Sequence, residues 1–91
     1  MAIKVVKESG NKLEIEIPDE DHTMGNLLRT TLLKDKHVKF AGYQIIHPLT
    51  GGIYLTVQTD SHEKPKEALI KAVSQMESET KEFKEKFKKA L

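Results

Sequence analysis

One amphipathic segment, residues 21–33, constrains the fold of this chain more than any other feature. Its apolar positions recur at helical spacing and lie at Met24, Leu27, Leu28 and Leu32. Asp21 or Thr23 can accept hydrogen bonds from the first free backbone N–H groups. Acidic residues at 19–21 also place negative charge at the positive end of the helix dipole. The segment is therefore predicted to be a helix that is entered from an acidic turn and buried along one side.

Two residues of this helix indicate that several elements pack against it. Gly25 lies within the first turn, where it costs roughly 1 kcal/mol relative to Ala. We therefore expect another stretch of backbone to approach closely there. Leu33 falls beside the main apolar stripe and widens it. The wider stripe indicates that the helix meets more than its own sheet.

Alternating apolar and polar residues on each side of the helix predict two β-hairpins. Residues 3–8 and 12–17 flank one Gly-containing turn, and residues 38–45 and 53–58 flank another. In the third of these strands the apolar parity switches at Ala41-Gly42, which predicts a β-bulge there. The pattern favours an antiparallel sheet with one covered face.

The C-terminal part of the chain has no Gly or Pro after Pro65. Its apolar or near-neutral positions are spaced by fours and threes and lie at Leu69, Val73, Met76, Thr80, Phe83, Phe87 and Leu91. This pattern predicts one helix from 65 to 91, which at 1.5 Å per residue extends for about 40 Å. A compact domain of this length is only roughly 30 Å across. The last turns must then overhang, so that Phe83 and Phe87 need a second chain to cover them, whereas the earlier positions are mostly core.

Composition limits the classes of function. The chain has 91 residues, a net charge of +1 and no cysteine, which fits one domain spanning 1–91. The charge gives no field that would attract nucleic acid or a membrane, and the lack of cysteine excludes disulfides and Cys-based zinc sites. No apolar run approaches the roughly 20 residues of a membrane span. We expect a soluble, cytoplasmic protein.

No pattern of residues predicts a catalytic, cofactor or metal site. The histidines at 22, 37, 47 and 62 match no compact ligand spacing, so we interpret them as capping, turn or surface residues. Thr23 activated by His22 is a poor nucleophile hypothesis, because adjacent residues rarely offer the geometry and a helix entrance explains both. Thr50-Gly51-Gly52 lacks the lysine of a phosphate-binding loop and is interpreted as a turn.

A lysine-rich stretch, residues 81–89, holds five lysines and two glutamates. A nucleic-acid patch is one interpretation of it. The phenylalanines within it fall at helical spacing, which favours a solvated face beside a buried stripe.

The chain resembles the small alpha-like subunit family, subunit L, of archaeal DNA-directed RNA polymerase. The resemblance lies in DHTMGNLLRTTLL at 21–33, VKFAGYQIIHPL at 38–49, IYLTVQT at 53–59 and the long C-terminal helix. It covers nearly the whole chain, and the first two segments in this order are the specific part. The resemblance implies an α+β fold in which a four-stranded antiparallel sheet is covered by two helices, in the order ββαββα.

The resemblance also implies a function in transcription without catalysis by this chain. The family partner is the larger alpha-like subunit, designated D, and the heterodimer is the platform on which the two large catalytic subunits of the RNA polymerase assemble. By resemblance, the residues near or in the contact with this larger alpha-like subunit are Met24, Leu27, Leu28, Leu32, Met76, Phe83 and Phe87. The residues that face a large catalytic subunit are Asp21, His22, Thr23, Gly25, Asn26 and Arg29. No direct contact with nucleic acid is expected.

Two other classes of function stay open at this point. A stand-alone homodimeric regulator could bind RNA or DNA through its sheet and lysine-rich tail, with an affinity that falls steeply with salt. A small-molecule enzyme is the weakest alternative, because the sequence offers no nucleophile and base at plausible spacing.

Overall fold

A computed structural model describes residues 3–18, 20–47, 49–76, 87, 89 and 90 of the chain. The elements follow the order β1 (Lys4–Ser9), β2 (Lys12–Ile17), α1 (His22–Leu32), β3 (Val38–His47), β4 (Gly51–Thr59) and α2 (Pro65–Gln75). The predicted ββαββα order is confirmed. Several residues that entered the predictions lie outside the described part of the chain, namely Asp19, Pro48, Thr80, Phe83, Leu91 and most of the lysine-rich stretch.

The four strands form one antiparallel sheet in the order β1-β2-β4-β3. The two central strands place Leu13 opposite Val57, Ile15 opposite Leu55 and Ile17 opposite Ile53, and all six side chains are fully buried. The intervening residues face the other side, where the Tyr54 hydroxyl donates to Glu14 Oε1 at 2.5 Å. The sheet therefore has one covered apolar face and one polar face, as the alternation predicts.

The β-bulge of β3 lies at a different place from the predicted one. The register shifts between Val38 and Phe40, so Lys39 is the extra residue, and pairing is regular through Ala41 and Gly42. The bulge turns Phe40 away from the core and directs Ala41 inward. Phe40 is therefore 50% exposed, whereas Ala41 is buried. The prediction of a bulge at Ala41-Gly42 is wrong, because the parity of apolar residues locates a switch only to within a few positions.

Both helices pack on the apolar face and contribute to a single core cluster. α1 buries Met24, Leu28 and Leu32, and α2 buries Ala68, Leu69, Ala72 and Val73. At roughly 25 cal/mol for each Å² of apolar surface removed from water, this burial is the main favourable contribution to the fold.

The C-terminal helix is not continuous. α2 ends at Gln75, and Met76 has extended backbone angles of φ −76° and ψ 113°. Residue 87 is helical again, and its phenylalanine is fully buried in the core cluster of this single chain. The prediction of one unbroken helix is wrong at Met76. The prediction that Phe87 overhangs the domain is also wrong. It assumed a straight helix about 40 Å long, and that length does not apply because the helix is broken at Met76.

Candidate partner interface on the first helix

The entrance of α1 is fixed by hydrogen bonds from both directions. Asp21 Oδ1 accepts from the backbone N–H groups of Thr23 at 3.0 Å and Met24 at 3.4 Å, so Asp21, one of the two predicted candidates, is the N-cap. On the other side, the N–H of Gly52 donates to the Glu20 carbonyl at 2.8 Å. The start of the helix is thereby attached to the start of β4.

A close contact between Gly25 and Tyr43 holds α1 against β3. A Cβ atom at Gly25 would lie 2.5 Å from Tyr43 Cδ2, a distance that side chains do not tolerate. The Tyr43 hydroxyl lies 3.1 Å from His22 Nδ1, and the two rings meet edge to face. The prediction that another stretch of backbone approaches Gly25 is wrong, because the atoms nearest to it belong to the Tyr43 side chain. His22 interacts with Tyr43, so the geometry does not support activation of Thr23.

The outward side of α1 is polar apart from one leucine at its end. The Arg29 guanidinium donates to Asn26 Oδ1 at 2.7 Å, and the Thr30 hydroxyl donates to the Asn26 carbonyl at 2.9 Å. Leu33, directly after the helix, is 47% exposed. Because residues 26, 29, 30 and 33 recur at helical spacing, they form one surface, which we call the α1 outer face.

The structure separates the residues predicted to face a large catalytic subunit. Asp21, His22, Thr23 and Asn26 are exposed, and Arg29 is partly exposed. Gly25 is buried under the Tyr43 ring and packs within the chain. That these six residues face a large catalytic subunit stays a prediction.

Most residues predicted to contact a partner are buried by this chain alone. Those with at most 8% of their surface exposed are Met24, Leu28, Leu32, Met76 and Phe87. Within this single chain they are covered by one sheet face and the packed helices. Their place near a partner contact stays a prediction. Leu27 is partly buried against the core and keeps some exposed surface. Phe83 lies outside the described residues.

Charged residues gather at the opposite end of α1, which the sequence reasoning missed. Lys71 Nζ lies 3.1 Å from Asp35 Oδ2 and 2.5 Å from Glu63 Oε2. A hydrogen bond from Glu63 lowers the pKa of Asp35 to about 2, and burial raises the pKa of Glu63. The carboxyl group of Asp35 therefore ionises at lower pH than that of Glu63.

Beside this group, His37, Asp60 and His62 come together. His37 immediately precedes β3, and Asp60 immediately follows β4. In the predicted hairpin, the start of one strand lies beside the end of the other. The signal for this cluster was therefore the strand pairing and not any local spacing.

No helix in the described ranges has the length and apolar character needed to cross a membrane.

Comparison with known proteins agrees with the fold. The family model described as the RNA polymerase Rpb3/Rpb11 dimerisation domain matches residues 12–86. A DNA-directed RNA polymerase subunit Rpo11 from Sulfurisphaera tokodaii is 47% identical over 97% of this chain and 95% of its own length. The Rpo11 subunit from Sulfolobus acidocaldarius is 46% identical over 98% of this chain and 99% of its own length.

A solved structure is also similar. The crystal structure of DNA-directed RNA polymerase subunit L from Thermoplasma acidophilum superposes with a TM-score of 0.72 at 26% identity. The match covers 97% of this chain and 86% of that one. The four-stranded sheet with two helices is thus the fold of this family.

Proposed function

The chain belongs to the RNA polymerase Rpb3/Rpb11 dimerisation-domain family, and from this premise we propose that it is a non-catalytic assembly subunit of an archaeal DNA-directed RNA polymerase. It pairs with the larger alpha-like subunit, and the heterodimer is the platform for the two large catalytic subunits. The observation that carries the proposal is the match of residues 12–86 to a dimerisation domain. The protein would then work in the cytoplasm with the polymerase.

The described surface of α1 supports a protein contact. Leu33 is 47% exposed, and Leu27 is only partly buried by the chain itself. Covering Leu33 with a second chain would contribute roughly 1 kcal/mol, because about half of the residue is exposed and full burial of a leucine is worth about 1.5 to 3 kcal/mol. We propose that the larger alpha-like subunit covers these two leucines, together with Phe83.

The exposed polar residues at the start of α1 are proposed to face a large catalytic subunit. Asp21 already caps the helix, so its remaining carboxylate oxygen and the exposed His22, Thr23 and Asn26 are available to a second protein. Arg29 is held by Asn26 at 2.7 Å, which orients its charge before any partner arrives. Holding polar groups in place lowers the entropy lost on assembly.

The alternative, a homodimeric regulator that binds nucleic acid through the sheet, has less support. The polar face of the sheet carries Glu14 and Glu16 next to Tyr54. These carboxylates would repel phosphate groups. Binding of DNA or RNA that falls steeply with salt would favour this alternative.

The test is binding of the larger alpha-like subunit to the wild type and to two matched leucine variants. Leu33→Asp places a charge on the α1 outer face, and Leu49→Asp places the same charge on the β3–β4 turn, where Leu49 is 99% exposed. The wild type and Leu49→Asp should form one-to-one complexes of equal affinity by calorimetry. Leu33→Asp should weaken binding at least about tenfold, because an unpaired charge is buried at the contact.

Two results would contradict the proposal. A wild-type chain that stays monomeric when mixed with the larger alpha-like subunit would remove the assembly function. Equal affinity of both variants would remove only the assignment of the contact to Leu33. Melting temperatures of the isolated variants exclude misfolding as the cause.

A further inference from the structure

Two histidines that are far apart in the sequence stack on one another beside the β3–β4 hairpin. His37 lies directly before β3 and His62 lies in the connection from β4 to α2. Because Val38 pairs with Thr59, the hairpin brings these two segments side by side. The imidazole centroids are 5.4 Å apart, with an angle of 28° between the ring planes.

Asp60 places one carboxylate oxygen near the Nδ1 atom of each ring. Asp60 Oδ2 lies 3.0 Å from His37 Nδ1, and Asp60 Oδ1 lies 3.5 Å from His62 Nδ1. One ligand atom from each of the three residues can be chosen so that all lie within 4.8 Å of one another. Ligands bound about 2.0 to 2.1 Å from a tetrahedral zinc ion lie roughly 3.4 Å apart. Small side-chain rotations would therefore bring the three residues around one ion.

The backbone around these residues is already ordered by hydrogen bonds. The Asp60 N–H donates to the His37 carbonyl at 2.9 Å, and the His62 N–H donates to Asp60 Oδ1 at 2.8 Å. The His37 N–H is held by Asp35 Oδ1 at 2.9 Å. A ligand would not need to order these segments, which lowers the entropy lost on binding.

The chemistry of the three side chains selects a class of ligand. Two imidazoles and one carboxylate suit borderline divalent transition metals, above all Zn²⁺, and they suit Mg²⁺ or Ca²⁺ poorly. An aspartate such as Asp60 offers an ionised carboxylate oxygen at neutral pH. The His62 side chain is 74% exposed, which leaves the cluster open to an ion from solvent.

We propose that His37, Asp60 and His62 form a binding site for one divalent transition-metal ion of the zinc class. The remaining coordination positions go to water. The bound ion would connect the turn before β3 to the connection before α2 and so stabilise the hairpin end. This site lies at the other end of α1 from its acidic entrance and does not depend on the proposed assembly function.

The test uses the full, untagged chain after treatment with a chelator. Calorimetric titration with ZnCl₂ should give one ion per chain, and Co²⁺ in its place should give the visible absorption of a ligated ion. His62→Ala and Asp60→Asn should each weaken Zn²⁺ binding at least about tenfold. His47→Ala is the matched control, since His47 is exposed at the far end of β3 and should bind Zn²⁺ like the wild type.

A second measurement keeps the test independent of folding. Zinc should raise the melting temperature of the wild type and of His47→Ala but not that of His62→Ala. Circular dichroism confirms that each variant is folded, and His62→Gln replaces His62→Ala if the latter is not. Binding by His62→Ala as tight as that of the wild type, or equal weakening in His47→Ala, would overturn the proposal.

Discussion

The two helices of this chain begin and end differently, although both have an amphipathic sequence. The N-cap of α1, Asp21, accepts hydrogen bonds from two backbone N–H groups through its side chain. The N-cap of α2, Lys64, makes no side-chain capping hydrogen bond, and Pro65 is the first residue of that helix. α1 ends with Leu33 still in helical conformation, whereas α2 stops where Met76 becomes extended. The start of α1 is therefore fixed by a neighbouring side chain in the sequence. The end of α2 has no such local signal, and we attribute it to contacts with distant parts of the chain.

The largest expected effect concerns Phe87, which distinguishes a buried C-terminal segment from an overhanging one. Phe87→Ala should lower the free energy of unfolding of the isolated chain by about 3 to 5 kcal/mol, because the ring is fully buried. Urea unfolding measures this loss. Phe40→Ala, which truncates a ring that is 50% exposed on the sheet, is the control and should cost far less. Equal losses in the two variants would show that Phe87 is not in the core.

The contact between Gly25 and Tyr43 gives the next largest effect. Gly25→Ala should destabilise the chain by about 1 to 3 kcal/mol, because the new methyl group would push the Tyr43 ring out of its position against α1. Alanine is otherwise the better helix former by roughly 1 kcal/mol. In a Tyr43→Ala background the same substitution should therefore become neutral or stabilising. A double-mutant cycle by thermal unfolding tests this, and additive effects would refute the contact.

Removing the N-cap side chain should reduce the free energy of unfolding more at α1 than at α2. Asp21→Ala should cost about 1 kcal/mol of stability, because two N–H groups at the start of α1 lose their acceptor. Lys64→Ala should cost little, because the Lys64 side chain makes no capping hydrogen bond. Both changes can be measured by denaturant unfolding, and a larger loss for Lys64→Ala would contradict the assignment of the caps.

The smallest expected effect is a pH dependence of stability from Asp35 and Glu63, the two carboxyl groups that contact Lys71 of α2. The folded chain raises the pKa of Glu63 above 4.5 through burial, so this residue's contribution to stability is present below that value and is lost as the pH rises through the folded pKa. The contribution of Asp35 depends on pH in the opposite direction, because folding lowers its pKa from 3.8 to about 2. That contribution is present above pH 3.8 and is lost as the pH falls toward 2. Stability from this pair is thus greatest in mild acid.

Glu63→Gln isolates this pH dependence. Glutamine cannot ionise, so the difference in unfolding free energy between the wild type and the variant should shrink or reverse in sign as the pH rises from mild acid to neutrality. Urea titrations at several pH values measure that difference. A difference that stays constant between mild acid and neutral pH would contradict the raised pKa of Glu63.

Local patterns were sufficient to predict the order of elements and the inward face of each central strand, and they limited the cap of α1 to Asp21 or Thr23. These features depend on residues within a few positions of one another, as at Leu13, Ile15 and Ile17. Periodicity failed where a choice depended on distant parts of the chain. It placed the bulge at Ala41-Gly42 instead of Lys39, and it continued the helix through Met76.

The amino-acid sequence by itself determined the ββαββα order, the buried faces and, through its signature segments, the resemblance to polymerase subunits. The tertiary structure alone decided that Phe87 is buried within this chain, that Tyr43 is the residue packed on Gly25, and that His37, Asp60 and His62 meet. The reason is physical. Propensity and periodicity act over neighbouring residues, whereas strand register and the covering of a core are settled only when remote segments compete for the same surface.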